Sequence, residues 1–329
     1  MDYLNLPKKF VQRIHTLYSA KNARSILDSF AQKKHIVIRV NTLKTDTKIL
    51  LQALKKAHVE SYIIPWYTQA LGIPSASTKE LTTLAEYKNG HFYIQTGSSL
   101  VPPILLNPQP TDTILDMTAS PGGKTTHLAT LMNNQGSIVA NDSGSVRMYK
   151  LIQTLKHMGV TNTTTEHRDG RALWQTYPEK FDAVLLDAPC SMEARFSPAT
   201  LEELNWSVKK IKHLARLQKY LLRSAISCTA VGGIIVYSTC TFSPEENEAV
   251  INWALTKEKD NIELAQAEIT GISHVPGYTH WQNTQYSSTL TRTMRILPSE
   301  ITEGFFVAVL KKTASTVHND VLPYYTTLL

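Results

Sequence analysis

From Gly97 onward the chain repeats one unit, a short apolar run followed by a helical segment, and few folds accommodate that rhythm. The runs are TILDM (113–117), SIVANDS (137–143), TTTEHRD (163–169), FDAVLLDAP (181–189), GGIIVYSTC (232–240) and EGFFVAVLKK (303–312). Helical segments lie between them, the longest being SVKKIKHLARLQKYLLRSAISCTAV (207–231). Short apolar strands alternating with helices call for a sheet covered on both faces. That is the doubly wound, largely parallel α/β arrangement.

The first ninety residues read differently. PKKFVQRIHTLY and ARSILDSFAQ carry apolar residues at helical spacing, and HIVIRVNTL (35–43) alternates as a strand. A helix capped by Thr45 or Asp46 follows, then a second strand, ESYIIPW (60–66), with Pro65 near its end. This order predicts a small α+β domain. A turn at Asn89-Gly90 marks its end, so the expected division is 1–92, 93–315 and a tail at 316–329.

Charge separates the same two regions. Residues 1–92 hold 14 of the 34 Lys/Arg and 6 of the 27 Asp/Glu, a local net of +8, whereas the remainder carries 20 and 21. An excess confined to the first domain suits a phosphate backbone, whose neutralisation releases counterions. A lysine-rich face that only aids solubility would look the same in composition. Hydrophobic residues make up 42% and charged residues 19%, as in ordinary globular proteins, and no apolar stretch is long enough to span a bilayer. With no leader-like start, a cytoplasmic protein without membrane contact is the expectation. Cys190, Cys228 and Cys240 include no C-x-x-C pair, so neither a disulfide framework nor a metal site is expected.

The segment ILDMTASPGGKTTHL (114–128) contains Gly-Lys-Thr, the ending of a phosphate-cradling Walker loop. The match fails, because Thr118 stands where the first Gly should be and Pro121 removes a backbone donor. The loop still joins a strand to a helix start, where free N–H groups suit a carboxylate as well as a phosphate. Asp142 closes the next strand 20 residues after Gly122, the usual distance for an acid that binds ribose hydroxyls. Asp169 ends a third strand, within reach of an adenine amino group. A nucleoside carrying a carboxylate is S-adenosyl-L-methionine. NAD lacks its G-x-G-x-x-G pattern here, and ATP fits less well.

Two cysteines stand at strand ends, Cys190 after Asp187-Ala-Pro and Cys240 after Thr239. In doubly wound sheets, ligand chemistry gathers beyond the carboxyl ends of strands, so both thiols are expected at the crevice. Cys228, among Ala, Ile and Val, reads as a core residue. A buried core thiol is the ordinary alternative for the other two as well. Carbon 5 of cytosine is too weak a nucleophile to take a methyl group directly, and a thiolate adding to carbon 6 makes it enamine-like. Asp187 is placed to stabilise that adduct near the ring nitrogen, and a base must then remove the carbon 5 proton.

These segments resemble the Sun (NSUN, RsmB-like) family of RNA cytosine-C5 methyltransferases over nearly the full length. The matching stretches are RVNTLK (39–44), GHFYIQTGSSLVPPILL (90–106), LDMTASPGGKTTHLA (115–129), DAPCS (187–191), YSTCTFSPEENEAVI (237–251) and RILPSEITEGFFVAVLKK (295–312). The resemblance implies a Rossmann-like class I methyltransferase domain, mostly parallel with one antiparallel strand, preceded by a small α+β RNA-binding domain. It implies Cys240 as nucleophile, Cys190 as the residue assisting product release, and Lys124 as an ordering charge. It further implies that Thr118, Ala119, Ser120, Pro121, Gly122, Gly123 and Lys124 contact the methionine part. Asp142 would contact the ribose, Asp169 the adenine, and Asp187 the crevice floor and the cytosine; Arg147 is counted with the cofactor contacts. The substrate would be rRNA or tRNA, and a monomer is expected.

Two departures stand out. The loop carries Thr118-Ala-Ser-Pro where the family often has Ala-Ala-Pro or Cys-Ala-Pro, and Met192-Glu193 follows Pro-Cys-Ser where Gly is usual. Met192 and Glu193 are therefore positions expected to bear on substrate choice. Lys33, Lys34, Arg39 and Lys44 surround the first strand, and alternation places Arg39 and Asn41 on one face of it. Arg39, Asn41 and Lys44 are the residues expected to meet RNA, or else a structural polar cluster at a strand end. Two other readings compete. A DNA cytosine methyltransferase would use the Pro-Cys cysteine, and a spent methyltransferase fold acting in RNA binding or ribosome assembly would have no reason to retain Cys190, Cys240, Asp142 and Asp187.

Overall fold

A computed structural model describes residues 6–197, 200 and 205–316, so the expected tail beyond Thr316 lies outside the described residues. The chain opens with two helices, α1 (Lys8–Leu17) and α2 (Ala20–Ser29), the second capped by the Ser19 hydroxyl. A four-stranded antiparallel sheet follows, built from β1 (Ile36–Val40), β2 (Tyr62–Ile64), β3 (Tyr67–Ile73) and β4 (Phe92–Gln95) in the order β2-β3-β1-β4. Helix α3 (Thr47–Lys56) starts where the Asp46 carboxylate accepts the Ile49 N–H at 2.9 Å. Helices α4 (Thr78–Thr83), opened by a Ser77/Glu80 capping box, and α5 (Ala85–Lys88) lead into β4. Ile38, Val40, Leu50, Leu54, Leu71, Ile73, Leu81 and Phe92 form this unit's core.

The large sheet is the doubly wound one. β5 (Thr113–Asp116), β6 (Ser137–Asn141), β7 (Thr163–Glu166), β8 (Phe181–Asp187) and β9 (Thr229–Thr239) are parallel, in the order β7-β6-β5-β8-β9. β10 (Ile262–Ala265), β11 (His274–Pro276), the hairpin β12 (His280–Trp281) with β13 (Thr284–Gln285), β14 (Met294–Ile296) and β15 (Phe305–Lys312) complete the strands. β15 runs antiparallel to β9, as the expected single antiparallel strand would. Beyond it the structure adds three short strands absent from the sequence reading. β14 pairs the first half of β15, β10 pairs its second half, and β11 pairs β14.

Side-chain alternation divides this sheet between two cores. Val184 and Leu186 join Leu115, Ile235 and Tyr237 on one face, while Ala183 and Leu185 join Ile114 and Val236 on the other. Helices α6 (Val101–Leu106) and α7 (Gly123–Leu131) contribute to the second face, and α8 (Ser145–Met158) packs near the loop after β5. Helices α9 (Val208–Cys228) and α10 (Glu248–Glu258) cover the first. Among the described residues no helix is long and apolar enough to cross a membrane.

Three findings modify the reading of the first ninety residues. Helices α1 and α2 do not share the small sheet's core. Phe10, Ile14, Leu17, Ala23, Ile26 and Leu27 sit in the large domain's core beside Phe196, Phe242 and Trp281. The expected second strand is a hairpin, β2-β3, and β4 lies past the Asn89-Gly90 turn, so the small sheet closes only at Gln95.

Arg39 and Asn41 are buried, which corrects the expectation that they face RNA. The Arg39 guanidinium reaches across to α7, donating to the Thr126 hydroxyl at 2.7 Å, the Thr130 hydroxyl at 3.1 Å and the Thr126 carbonyl at 3.3 Å. Burial lowers its pKa to about 10. The Asn41 amide donates to the carbonyls of Gly90 at 2.7 Å and Met158 at 2.8 Å. Lys44, an exposed residue, donates its ammonium to the Asn89 and His157 carbonyls at 3.0 and 2.8 Å, the latter in the last turn of α8. All three fasten the small domain to the large one. The close approach is also fixed at Gly90, whose φ is +71°, because a Cβ there would lie 2.3 Å from the His157 carbonyl. Arg39→Ala is expected to lower unfolding stability by about 3 kcal/mol, since it opens a cavity and strips partners from α7. A shift in the urea midpoint no larger than an exposed substitution gives would refute this placement.

Candidate active site

The site forms where strand order reverses. β5 has β6 on one side and β8 on the other, and crevices at such reversals are where doubly wound sheets bind ligands. The register brings Asp116 opposite Leu185 and Asp187 opposite Ser238, so three neighbouring strands end together. A cleft of roughly 580 Å³ opens above them. Its walls include residues 118–121, Gly123, Lys124, Asp187, Cys190 and Cys240 from the large domain, and Lys34, His35 and Tyr93 from the small one.

The loop after β5 is shaped by what crowds it. Gly122, with φ at +104°, caps α7 in a backbone region that a side chain disfavours. A Cβ on Gly123 would lie 2.8 Å from the Tyr93 ring, so β4 closes directly over the helix start. The first-turn amides of α7 have no intrahelical acceptors, and Gly123 and Lys124 at this turn line the cleft. Thr118 donates its hydroxyl to the Asp187 carbonyl at 2.8 Å, tying the loop to β8.

Lys124 and Asp187 form an ion pair at 2.6 Å, and Ser238 donates to the other carboxylate oxygen at 2.8 Å. Asp116, the last residue of β5, is fully buried beside them. Its Oδ2 accepts from Thr125 at 2.6 Å, and its Oδ1 has no partner among the described residues. Burial pushes its pKa up to about 7, despite the Thr125 hydrogen bond and the Lys124 charge.

Asp142 lies behind the loop, accepting from the Ser120 N–H at 3.2 Å and the Gly144 N–H at 2.9 Å. Arg147 holds it through two bonds, at 3.0 and 2.6 Å, so the two residues counted as cofactor contacts form one pair. Asp169 stands apart. It caps the turn after β7, its carboxylate is gripped by Arg171, and it is not on the cleft wall.

The two cysteines meet. Their sulphurs are 3.4 Å apart on the wall of the cleft, whereas Cys228 is buried in α9. The hydrogen bond with Cys240, followed by burial, raises the Cys190 thiol well above its ordinary pKa. Arg195 also reaches this wall. Burial opposes its charge, but Cys240, Glu303 and Asp187 outweigh that and raise its pKa.

The turns behind the cysteines hold two buried glutamates that the sequence did not mark as partners. Glu193 accepts from Thr241 at 2.7 Å, the Phe242 N–H at 3.0 Å, Ser243 at 2.9 Å and the Trp206 indole at 2.9 Å. Glu246 accepts from the Ser191 N–H at 2.9 Å, the Ser191 hydroxyl and the Gln218 amide at 3.0 Å. Glu193 therefore faces inward to the protein, away from any nucleotide. Met192 lines the cleft with φ at +57°, the left-handed conformation that explains why Gly is usual there.

Comparison with known proteins agrees with this geometry. Residues 103–311 match the family model described as 16S rRNA methyltransferase RsmB/F, and residues 6–97 match the N-terminal domain of 16S rRNA methyltransferase RsmF. A tRNA (cytosine(49)-C(5))-methyltransferase of Pyrococcus abyssi is 36% identical over 95% of this chain and 99% of its own. A 28S rRNA (cytosine-C(5))-methyltransferase of Mus musculus is 35% identical over 93% of this chain but only 39% of its own. The small-subunit methyltransferase F of Vibrio campbellii is 34% identical, over 93% and 63% respectively. The chain thus spans nearly all of the archaeal relative and less than two thirds of the other two. Among solved structures, a methyltransferase homologue from Pyrococcus horikoshii superposes with a TM-score of 0.81 at 32% identity, covering 94% of this chain and 96% of that one. NSun6 from Pyrococcus horikoshii, solved with SFG, gives the same TM-score at 25% identity, covering 94% and 99%. With both of its segments matched, the chain belongs to the RsmB/F methyltransferase family, the Sun-type family that its loop and paired cysteines resemble.

Proposed function

We propose that the protein is an S-adenosylmethionine-dependent RNA methyltransferase that modifies carbon 5 of a cytosine in rRNA or tRNA through a covalent Cys240 adduct. The observation that carries this reading is the pair of thiols 3.4 Å apart on the wall of a cleft that the Lys124–Asp187 ion pair also lines. Relatives named as tRNA and rRNA cytosine-C5 methyltransferases support it.

The cleft fits the methyl donor. The α7 amides suit its carboxylate, and the orphaned buried oxygens Asp116 Oδ1 and Ser120 Oγ suit an ammonium. Arg147 lines the cleft, and the buried Asp142 behind it would reach the ribose only after releasing that guanidinium. Asp169 would reach the adenine only after releasing Arg171. When bound, the donor supplies a methyl group on a positively charged sulphur. The remaining chemistry belongs to the chain.

Cys240 bonds to carbon 6 of the flipped-out cytosine, shifting electron density onto carbon 5. Asp187, 2.6 Å from the Lys124 ammonium, relays a proton or hydrogen bond toward the ring nitrogen. Cys190, its sulphur 3.4 Å from that of Cys240, is placed to take the carbon 5 proton. The electrons of the carbon 5–hydrogen bond restore the ring double bond, and the Cys240–carbon 6 bond breaks with its electron pair leaving on the Cys240 sulphur.

Cys240→Ala is expected to reduce methyl transfer by more than about 10³-fold. Persistent activity in a filter-binding assay with labelled donor would end the nucleophile assignment. Cys190→Ala is expected to accumulate a protein–RNA adduct on a denaturing gel, and turnover without an adduct would remove the release role. Bisulfite sequencing of total RNA from cells with and without the gene identifies the substrate, and an unchanged pattern in rRNA and tRNA would sink the proposed specificity. Asp116 provides a fourth test. With a pKa near 7 it is partly protonated at neutral pH, and a cation arriving beside it lowers that pKa. Donor binding should therefore release protons, seen by calorimetry in two buffers of different ionisation enthalpy, and Asp116→Asn should abolish the difference. Equal heats for the native protein would place the ammonium elsewhere.

A further inference from the structure

The two cysteine turns are tied to each other as well as to their own strands. Glu193 lies three residues after Cys190, yet three of its four donors, Thr241, Phe242 and Ser243, directly follow Cys240. Glu246 lies six residues after Cys240, yet two of its donors are the N–H and hydroxyl of Ser191, the residue after Cys190. Each turn therefore carries the acceptor for the other. Further bonds close the loop. Ser191 and Thr241 share a hydrogen bond at 2.9 Å, the Ala194 N–H donates to the Cys240 carbonyl at 3.1 Å, and Gln218 of α9 bridges Glu246 to the Pro189 carbonyl at 2.8 Å. Both carboxylates are at most 1% exposed, and their partners are neutral N–H and O–H donors.

We propose that Glu193 and Glu246 are positioning residues that form a reciprocal clamp setting the Cys190–Cys240 separation. This rests on the methyltransferase reading only for its catalytic consequence, since the clamp itself is geometry. Buried carboxylates are costly to keep, and simple loop anchoring would be achieved by apolar packing. A clamp with directional acceptors instead fixes the two sulphurs at hydrogen-bond distance. Misplacement by an ångström costs about 10²-fold in rate.

The donor types make the proposal sharp. Each carboxylate oxygen of Glu193 faces an N–H, from Phe242 or from Trp206. A glutamine there must set its own NH₂ against one of them. Glu246 is different. Both N–H donors, from Ser191 and Gln218, meet Oε1, and Oε2 meets only the Ser191 hydroxyl, which can turn to accept. Glu193→Gln should therefore break the clamp, Glu246→Gln should preserve it, and Glu246→Ala should break it.

The test reads thiol geometry without methylation. In a Cys228→Ser background, a bis-alkylating reagent that fluoresces only on bridging two near thiols is reacted with each folded variant. The parent and Glu246→Gln should bridge at the same rate, and Glu193→Gln and Glu246→Ala about 10-fold more slowly. Methyl transfer to total RNA should follow the same order, with kcat falling about 10²-fold and KM for RNA little changed. Thr241→Val, which deletes one donor to Glu193 and the link to Ser191 while keeping side-chain shape, serves where a glutamate variant fails to fold, and should slow bridging too. Parental bridging rates in folded Glu193→Gln or in Thr241→Val would overturn the proposal. A Glu246→Gln variant as impaired as Glu246→Ala would overturn it as well. Bridging that follows the predicted order while no variant, nor the parent, methylates RNA would support the clamp and count against the methyltransferase reading alone.

Discussion

The parallel pairing of β8 with β9 is the constraint on which the site depends. Asp187 lies opposite Ser238, and from that register the chain leaves two adjacent strands within three residues of each other's cysteine. Neither thiol could act on the other's behalf if the strands were slipped by two residues. The pairing is strongly specified, because a one-residue slip would turn Val184, Leu186, Ile235 and Tyr237 from one core to the other. β15 then locks β9 from its other edge, with Thr239 opposite Phe306. Lys124 reads the result, since its ammonium reaches Asp187 only because β5 and β8 also end together.

The remaining walls are supplied from outside the doubly wound sheet. Tyr93 on β4 closes over Gly123, and Arg39 on β1 holds the α7 backbone through the Thr126 and Thr130 groups. The cleft is therefore an interdomain feature whose width follows from how the small sheet sits. Helix α1 braces it from below. Phe10 packs edge-on to Phe196 at 5.0 Å, and Arg13 pairs with Glu245 at 2.6 Å, touching both cysteine turns from one side.

What was legible in the sequence follows from the range over which each signal acts. Strand–helix alternation, the failed Walker match and the two strand-end cysteines are local patterns, and the parallel sheet, the loop and the thiol pair all stand where those patterns put them. Alternation also placed Arg39 and Asn41 together on one face of β1. It carried no information about what covers that face, and α7 covers it, so a cluster read as RNA-facing is structural. β10, β11 and β14 escaped because they are three or four residues long and lie outside the strand–helix alternation that marks the others, β7 included. The family pattern points Glu193 toward substrate choice and the sequence assigns Glu246 no partner, since only the fold brings each under the opposite turn.

Met192 shows how far that network governs the backbone. A left-handed conformation costs a side-chain-bearing residue roughly 1–2 kcal/mol, which is why glycine is usual at this point of the family pattern. Here the turn is held on both sides, by Ser191 on Glu246 and by Glu193 on four donors, so the conformation is imposed by the bonds around it and the residue need not favour it. Met192 is thereby free to vary toward the cleft, where its side chain meets whatever lies beside the two thiols. The departure first visible as a missing glycine is thus a change in the wall of the site, made tolerable by the carboxylates behind it.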